Sequence, residues 1–284
     1  MAELQMAALD KLKSARPGYR IIFHYTSQEG LLGIIRDKAL WLSSIRHLSD
    51  ATEFSYAVEL ARTKLNSLLL AERSSLTTYY GALLEKLDAF QNLQLFVGSF
   101  SEQADLLSQW RAYTPNGIGF SIGFEYDHLK AMASNQKLEI MKCTYDRSEH
   151  DAIVEDLIRL GGTLVEDDVH KGALAAFFVG LLNFAPALKD PSFSEEQEWR
   201  VVNNMGRTKD LTPKFRAGES MLVPYHEFKL AKDNQKMPIS RIIVGPTPHM
   251  NLSIDSLTYL LSASENMEPH TYTIVPSRVP YRSW

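Results

Sequence analysis

The chain has 284 residues, a formal net charge of −4, 45% hydrophobic and 23% charged residues. It is long enough to bury a large core, and its composition is that of an ordinary globular protein. The acidic balance speaks against a broad electrostatic grip on nucleic acid and leaves room only for a local basic patch. The single cysteine, Cys143, excludes an intramolecular disulfide and a thiolate-rich metal site, and agrees with a reducing, cytoplasmic setting.

In chain order, Leu4, Ala8 and Leu12 are spaced by four and predict a helix over 1–16, which Pro17-Gly18 stops. This amino-terminal stretch shows no basic-then-apolar signal pattern. Residues 19–26 alternate as a strand, with Ile22, His24 and Thr26 on one face and Ile21, Phe23 and Tyr25 on the other. Residues 28–38 read as a short helix and 39–43 as a second strand. From 51 to 90 the pattern is helical, with Phe54, Val58, Ala61 and Leu65 in one stripe, a polar break at Arg73-Ser74-Ser75, and Asp50 with Glu53 placed as a capping pair.

A strand over 94–100, a helix over 102–112 and the turn Thr114-Pro-Asn-Gly117 follow. Residues 118–124 then alternate strictly, leaving Gly119, Ser121 and Gly123 on a face where a backbone or flat ligand can approach. A strand over 138–145 and helices over 148–160 and 164–184 come next. The apolar run Gly172–Leu188 is short and broken by Asn183 and Pro186, so it reads as a core helix and no membrane span is expected. The last third reads as strands at 199–203, 219–223, 226–231, 240–244 and 270–276, with a helix at 253–263. The expected organisation is an N-terminal helix over 1–18 and one α+β domain over 19–284, mainly antiparallel, with a helical insertion at about 51–90.

Chemistry-bearing residues gather in a few places. His24, Tyr25 and Thr26 form one hydroxyl-rich strand end, although a histidine satisfied within a sheet would read the same way. Trp41, Ser43 and Ser44 offer a flat aromatic and hydroxyls for a cofactor, or simply a core tryptophan and a strand exit. The planar fork of Arg46 suits a pyrophosphate. Glu196 and Glu198, spaced by two, are expected to point the same way from a strand and to stabilise positive charge growing on a ribose. A solvated acidic cluster is the plainer reading, but the half-buried strand that begins at Trp199 argues against it. Gly119-Phe-Ser121-Ile-Gly123 fits a nucleophile-elbow pattern, yet its alternation places Ser121 inside a strand and makes a serine hydrolase the third choice. The eight His are scattered without ligand spacing, so no metal is expected.

The ordered set His24-Tyr25-Thr26-Ser27, Gly30-Leu31, Trp41-Leu42-Ser43, Asp50 with Glu53, and Trp110 with Tyr113 resembles a widespread bacterial family, domain of unknown function 2971. Gly117-x-Gly119-Phe120, Glu198-Trp199-Arg200, Ile243-Val244-Gly245-Pro246 and Ser277-x-x-Pro280-Tyr281-Arg282 continue the resemblance over about residues 20–283. More distantly, the opening block is similar to ADP-ribosyltransferase folds. That likeness implies a bent, split sheet, NAD as substrate, His24 as a ribose contact, Tyr25 and Thr26 on the nicotinamide side, and Glu198 as the catalytic carboxylate. The position after His24 is Tyr rather than the Gly of such folds, and their stacking Tyr has no placed counterpart. It further implies a toxin or phage-defence role, with a protein or nucleic-acid acceptor. A non-catalytic nucleotide- or protein-binding module using the same cleft is the alternative expectation.

Overall fold

The computed structural model describes residues 7–48, 53–71, 76–90, 95–165, 171–204, 212–218, 220–268 and 271–281. Helix α1 (Ala7–Ser14) leads into strand β1 (Ile21–Thr26), α2 (Gln28–Asp37) and β2 (Ala39–Ser44). Two helices follow, α3 (Glu53–Ala71) and α4 (Thr77–Phe90), then β3 (Leu95–Ser101), α5 (Leu107–Tyr113), β4 (Phe120–Glu125), α6 (Tyr126–Asn135) and β5 (Glu139–Lys142). The chain continues through α7 (Arg147–Gly162), α8 (Lys171–Phe184), β6 (Glu198–Asn204), β7 (Lys214–Ala217), β8 (Leu222–Lys229), β9 (Ile239–Val244), α9 (Met250–Ala263) and β10 (Thr273–Pro276).

Among the described residues, ten strands join in one sheet of order β10-β9-β4-β1-β3-β2-β8-β7, with β6 on β3 and β5 on β6. The β9–β10 pair is parallel and the other pairs are antiparallel. The expected α+β, mainly antiparallel architecture is therefore present. One sheet face buries Ile22, Phe100, Ile122, Phe124 and Trp199 against α2, α6 and α9. The other packs Val97, Val202 and Met141 against the layer of α3, α4, α7 and α8, and beside it Phe23, Tyr25 and Ile243 meet Trp110 of α5. Residues 51–90 supply two helices of that layer, as their stripe foretold.

Local chemistry sets the ends that matter for the site. Ser27 caps α2 by accepting the Gly30 amide at 3.1 Å, and Lys38 ends it in the left-handed conformation. Gly30 fits there because a Cβ would lie 2.0 Å from the Thr26 hydroxyl. The alternation over 118–124 is a true strand, and its bare face is filled from within. A Cβ at Gly123 would lie 2.7 Å from the Phe23 ring, and one at Gly119 would lie 2.4 Å from the Thr26 carbonyl.

The sequence pattern misplaced some elements. The 219–223 and 226–231 strands are one strand, β8, which runs through Pro224. Pro224 is tolerated because the β2–β8 ladder ends at Ser43 and Tyr225, just before it. Strand β7 and helix α6 were not anticipated, and the 102–112 helix starts only at Leu107. Asp50 and the 73–75 break lie outside the described residues.

Candidate functional site

Strand β3 decides the geometry. One of its edges pairs with β6 along its whole length, from Leu95 to Ser101. The other edge is shared, with β2 pairing at Phe96 and Val97 and β1 only at Ser101. Over Gly98–Phe100 that edge pairs with neither, so β1 and β2 splay apart. Gly98 belongs here because Leu42 leans over it, with a Cδ2 only 2.6 Å from where a Cβ would sit.

A cleft of about 600 Å³ occupies the splay, walled by His24, Thr26 and Ser27 on one side and by Trp41, Ser43 and Arg216 on the other. The His24 ring donates from Nδ1 to the Ser99 carbonyl at 2.9 Å, one of the groups the splay releases. Burial lowers the His24 pKa, and the Ser99 bond only partly opposes this. The ring is thus neutral with Nδ1 protonated, which leaves Nε2 as an acceptor. Trp41 is 41% exposed and rests on Tyr225 with ring centroids 4.5 Å apart.

Behind His24 lies a second, water-sized cavity of about 40 Å³, lined by His24, Tyr25, Gln109, Tyr113, Glu196 and Glu198. Its floor is a buried charged corner. Arg200 grips Glu198 with Nε to Oε1 at 2.7 Å and a second guanidinium nitrogen to Oε2 at 3.0 Å, and donates also to the Pro186 carbonyl. Lys189 reaches Glu198 Oε2 at 2.6 Å and also bonds Glu196. Tyr113 donates to the other Glu196 oxygen at 3.3 Å. Burial pulls the Glu198 carboxyl upward, but the charges of Arg200 and Lys189 prevail and hold it at about 2. Glu196 shares only Lys189, so burial wins and its pKa is raised.

The two carboxylates converge on Lys189 by a different route from the one expected. Glu196 ends a 3-10 turn over 191–196, Gln197 takes the left-handed conformation at φ 43°, and Glu198 opens β6. Ser101 locks this corner by donating to the Glu196 carbonyl at 2.6 Å, and the Glu102 amide does the same to Gln197 at 3.1 Å.

The sequence-derived residues separate into three groups. His24, Thr26, Trp41 and Ser43 share the large cleft, and His24, Glu196 and Glu198 share the small cavity. Three others do not stand where they were expected. Tyr25 points to the opposite sheet face from His24, its hydroxyl donating to the Gln103 carbonyl at 2.8 Å and accepting the Leu106 amide at 3.0 Å. It fastens the loop before α5 rather than facing the large cleft. Ser44 is fully buried beside Phe96, because it alternates with Ser43 toward the core. Arg46 is exposed in the 3-10 turn after β2 and does not line the cleft, where Arg216 from β7 stands instead. Ser121 lies fully buried in the middle of β4, paired with Tyr25 and Ile243, without the sharp turn an elbow requires.

Sequence reasoning missed Lys189, Tyr113, Gln109 and Arg216 as site residues. Lys189 sits at the end of an apolar run, where a lone cation signals an internal partner. Several quoted motifs prove to be the scaffold of α5. Asp105 accepts the Trp110 indole at 2.7 Å, the Ser277 hydroxyl at 2.6 Å and the Arg278 amide at 2.6 Å. The Tyr281 ring fills the space over Gly117, whose φ is +76°, and Arg111 lies over the same ring at 4.9 Å. This strap holds α5 so that Gln109 and Tyr113 reach the inner cavity.

Residues 109–201 match the family model described as a protein of unknown function, DUF2971. The match supports that family over about a third of the chain, and it spans α5, Lys189 and the Glu196–Glu198 corner. No curated protein and no solved structure matches the chain. Among the described residues, no group of three or more His, Cys, Asp or Glu side chains could hold a metal ion, and no helix is long and apolar enough to cross a membrane.

Proposed function

We propose that the splay between β1 and β2 binds NAD and that the chain breaks its nicotinamide–ribose bond, passing ADP-ribose to an acceptor or to water. The observation that carries this reading is the position of His24, a neutral imidazole shared by a nucleotide-sized cleft and a cavity floored by two carboxylates. A volume of about 600 Å³ falls within the roughly 300–1,000 Å³ of small-molecule sites. Trp41 offers an aromatic face to a base or pyridinium ring, and Arg216 a fork for phosphate.

In the reaction, the C1′–N bond breaks and its electron pair leaves with nicotinamide. The acceptor oxygen or nitrogen bonds C1′ and gives up its proton. Nε2 of His24 accepts from a ribose hydroxyl, and the permanently ionised Glu198 contributes negative potential behind the oxocarbenium-like sugar. Glu196, raised by burial, is the carboxylate suited to take the acceptor's proton.

One observation favours a second reading, binding without turnover. Both oxygens of Glu198 are already held by Arg200 and Lys189, and neither Glu196 nor Glu198 lines the large cleft. Calorimetric NAD binding and nicotinamide release, measured beside His24→Ala and Glu196→Gln, separate the two. Release that Glu196→Gln abolishes in folded protein supports transfer. Binding that His24→Ala weakens, without release in the presence of cell lysate, moves the assignment to a binding module. Neither binding nor release overturns the NAD reading.

A further inference from the structure

Beyond the cleft, β2, β8 and β7 continue as a three-stranded arm, and the cleft-side face of this arm carries a second pattern. The register aligns Trp41 with Glu227 and Ser43 with Tyr225, and Tyr225 in turn with Lys214. Trp41, Tyr225, Lys214 and Arg216 therefore share one face. The half-exposed indole lies on Tyr225, Lys214 is exposed, and Arg216 is half-buried beside them. The cations are weakly engaged. Arg216 meets the Ser43 hydroxyl only at 3.4 Å, and Lys214 and Lys229 share the one carboxylate of Glu227 at 2.7 and 3.3 Å. Exposed pairs of this kind contribute little and give way to a phosphate. The surrounding sequence has the same bias. Residues 205–241 carry eight Lys and Arg against four Asp and Glu, in a chain whose net charge is −4.

From this we infer that the arm is a platform for single-stranded nucleic acid, with a base stacked on Trp41 and the backbone phosphates running over Arg216 and Lys214. A supported aromatic face beside cations on an open strand surface is the arrangement that holds unpaired bases without reading their sequence. The inference does not depend on NAD turnover, because binding is read with no nucleotide present.

The test uses the full chain with fluorescein-labelled oligo-dT and oligo-rU about twelve nucleotides long, followed by anisotropy at rising salt. Binding is expected to quench tryptophan emission, since Trp110 and Trp199 are buried while Trp41 is not. Trp41→Ala should weaken binding about tenfold and Trp41→Phe should restore most of it. The double variant Lys214→Gln/Arg216→Gln should lower affinity and flatten the salt dependence by a slope of about 1. The dT and rU arms decide between DNA and RNA. No binding of either by folded protein at low salt, or binding unchanged by Trp41→Ala, overturns the proposal. Duplex DNA or polyglutamate binding as tightly as the oligonucleotides also overturns it, the latter pointing to an acidic protein partner.

Discussion

Around Lys189, two cations and two carboxylates lie buried within a few ångströms, and each named charge meets an opposite one. Across His24, in the cleft, Trp41 is 41% exposed, Arg216 touches only a distant hydroxyl, and His24 keeps an open acceptor. The first region has spent its polarity on itself, so its side chains fix structure and set a field. The second keeps polarity available, which is what a ligand requires. Glu198, the carboxylate most prominent in the sequence, belongs to the first region more than to the second.

The sharpest way to break this comparison is Arg200→Met. It leaves Glu198 buried with one cation fewer and should cost about 3–5 kcal/mol in urea unfolding. A loss below about 1 kcal/mol would mean that the corner is not a structural unit. The acid limb tests the same corner. The folded Glu198 pKa is depressed from 4.5 to about 2, so its stabilising contribution is present above the unfolded value and lost as pH falls through that window. Glu196 has the opposite sign, its raised pKa favouring the fold when protonated and opposing it as pH rises. Denaturation midpoints between pH 4.5 and 2 should therefore fall less steeply in Glu198→Gln than in the wild type.

A smaller effect is expected at the strap. Gly117→Ala forces a Cβ to 2.3 Å from the Tyr281 ring at a positive φ, and should cost roughly 1–3 kcal/mol by thermal unfolding. The smallest change is expected in the cleft. Arg216→Gln should alter stability by no more than about 0.5 kcal/mol while weakening NAD binding, the signature of a side chain kept for a ligand. A large stability loss there would erase the distinction between the two regions.

Much of the fold was legible because its signals are local. The His24 strand, the capped α2, the helical stripe of 53–71 and the alternation through Phe120–Phe124 each follow from periodicity within a few residues. Strand β7 is short and almost wholly exposed, so no hydrophobic pattern announced it, and Arg216 was missed with it. Arg46 was preferred for the same chemistry because it stands near Trp41 in sequence, although the 3-10 turn directs it to solvent.

By itself the sequence determined the α+β class, the strand that carries His24, the placement of Glu198 at a strand mouth, and the cleft residues Thr26, Trp41 and Ser43. Those follow from side-chain alternation and turn chemistry, which act over neighbouring residues. Only the tertiary structure decided that β3 divides one edge between β1 and β2, that Tyr25 turns away from His24, and that Lys189 and Arg200 close on Glu198. Each of these joins segments from 75 to more than 150 residues apart, and which strand pairs with which is settled by packing across the whole sheet.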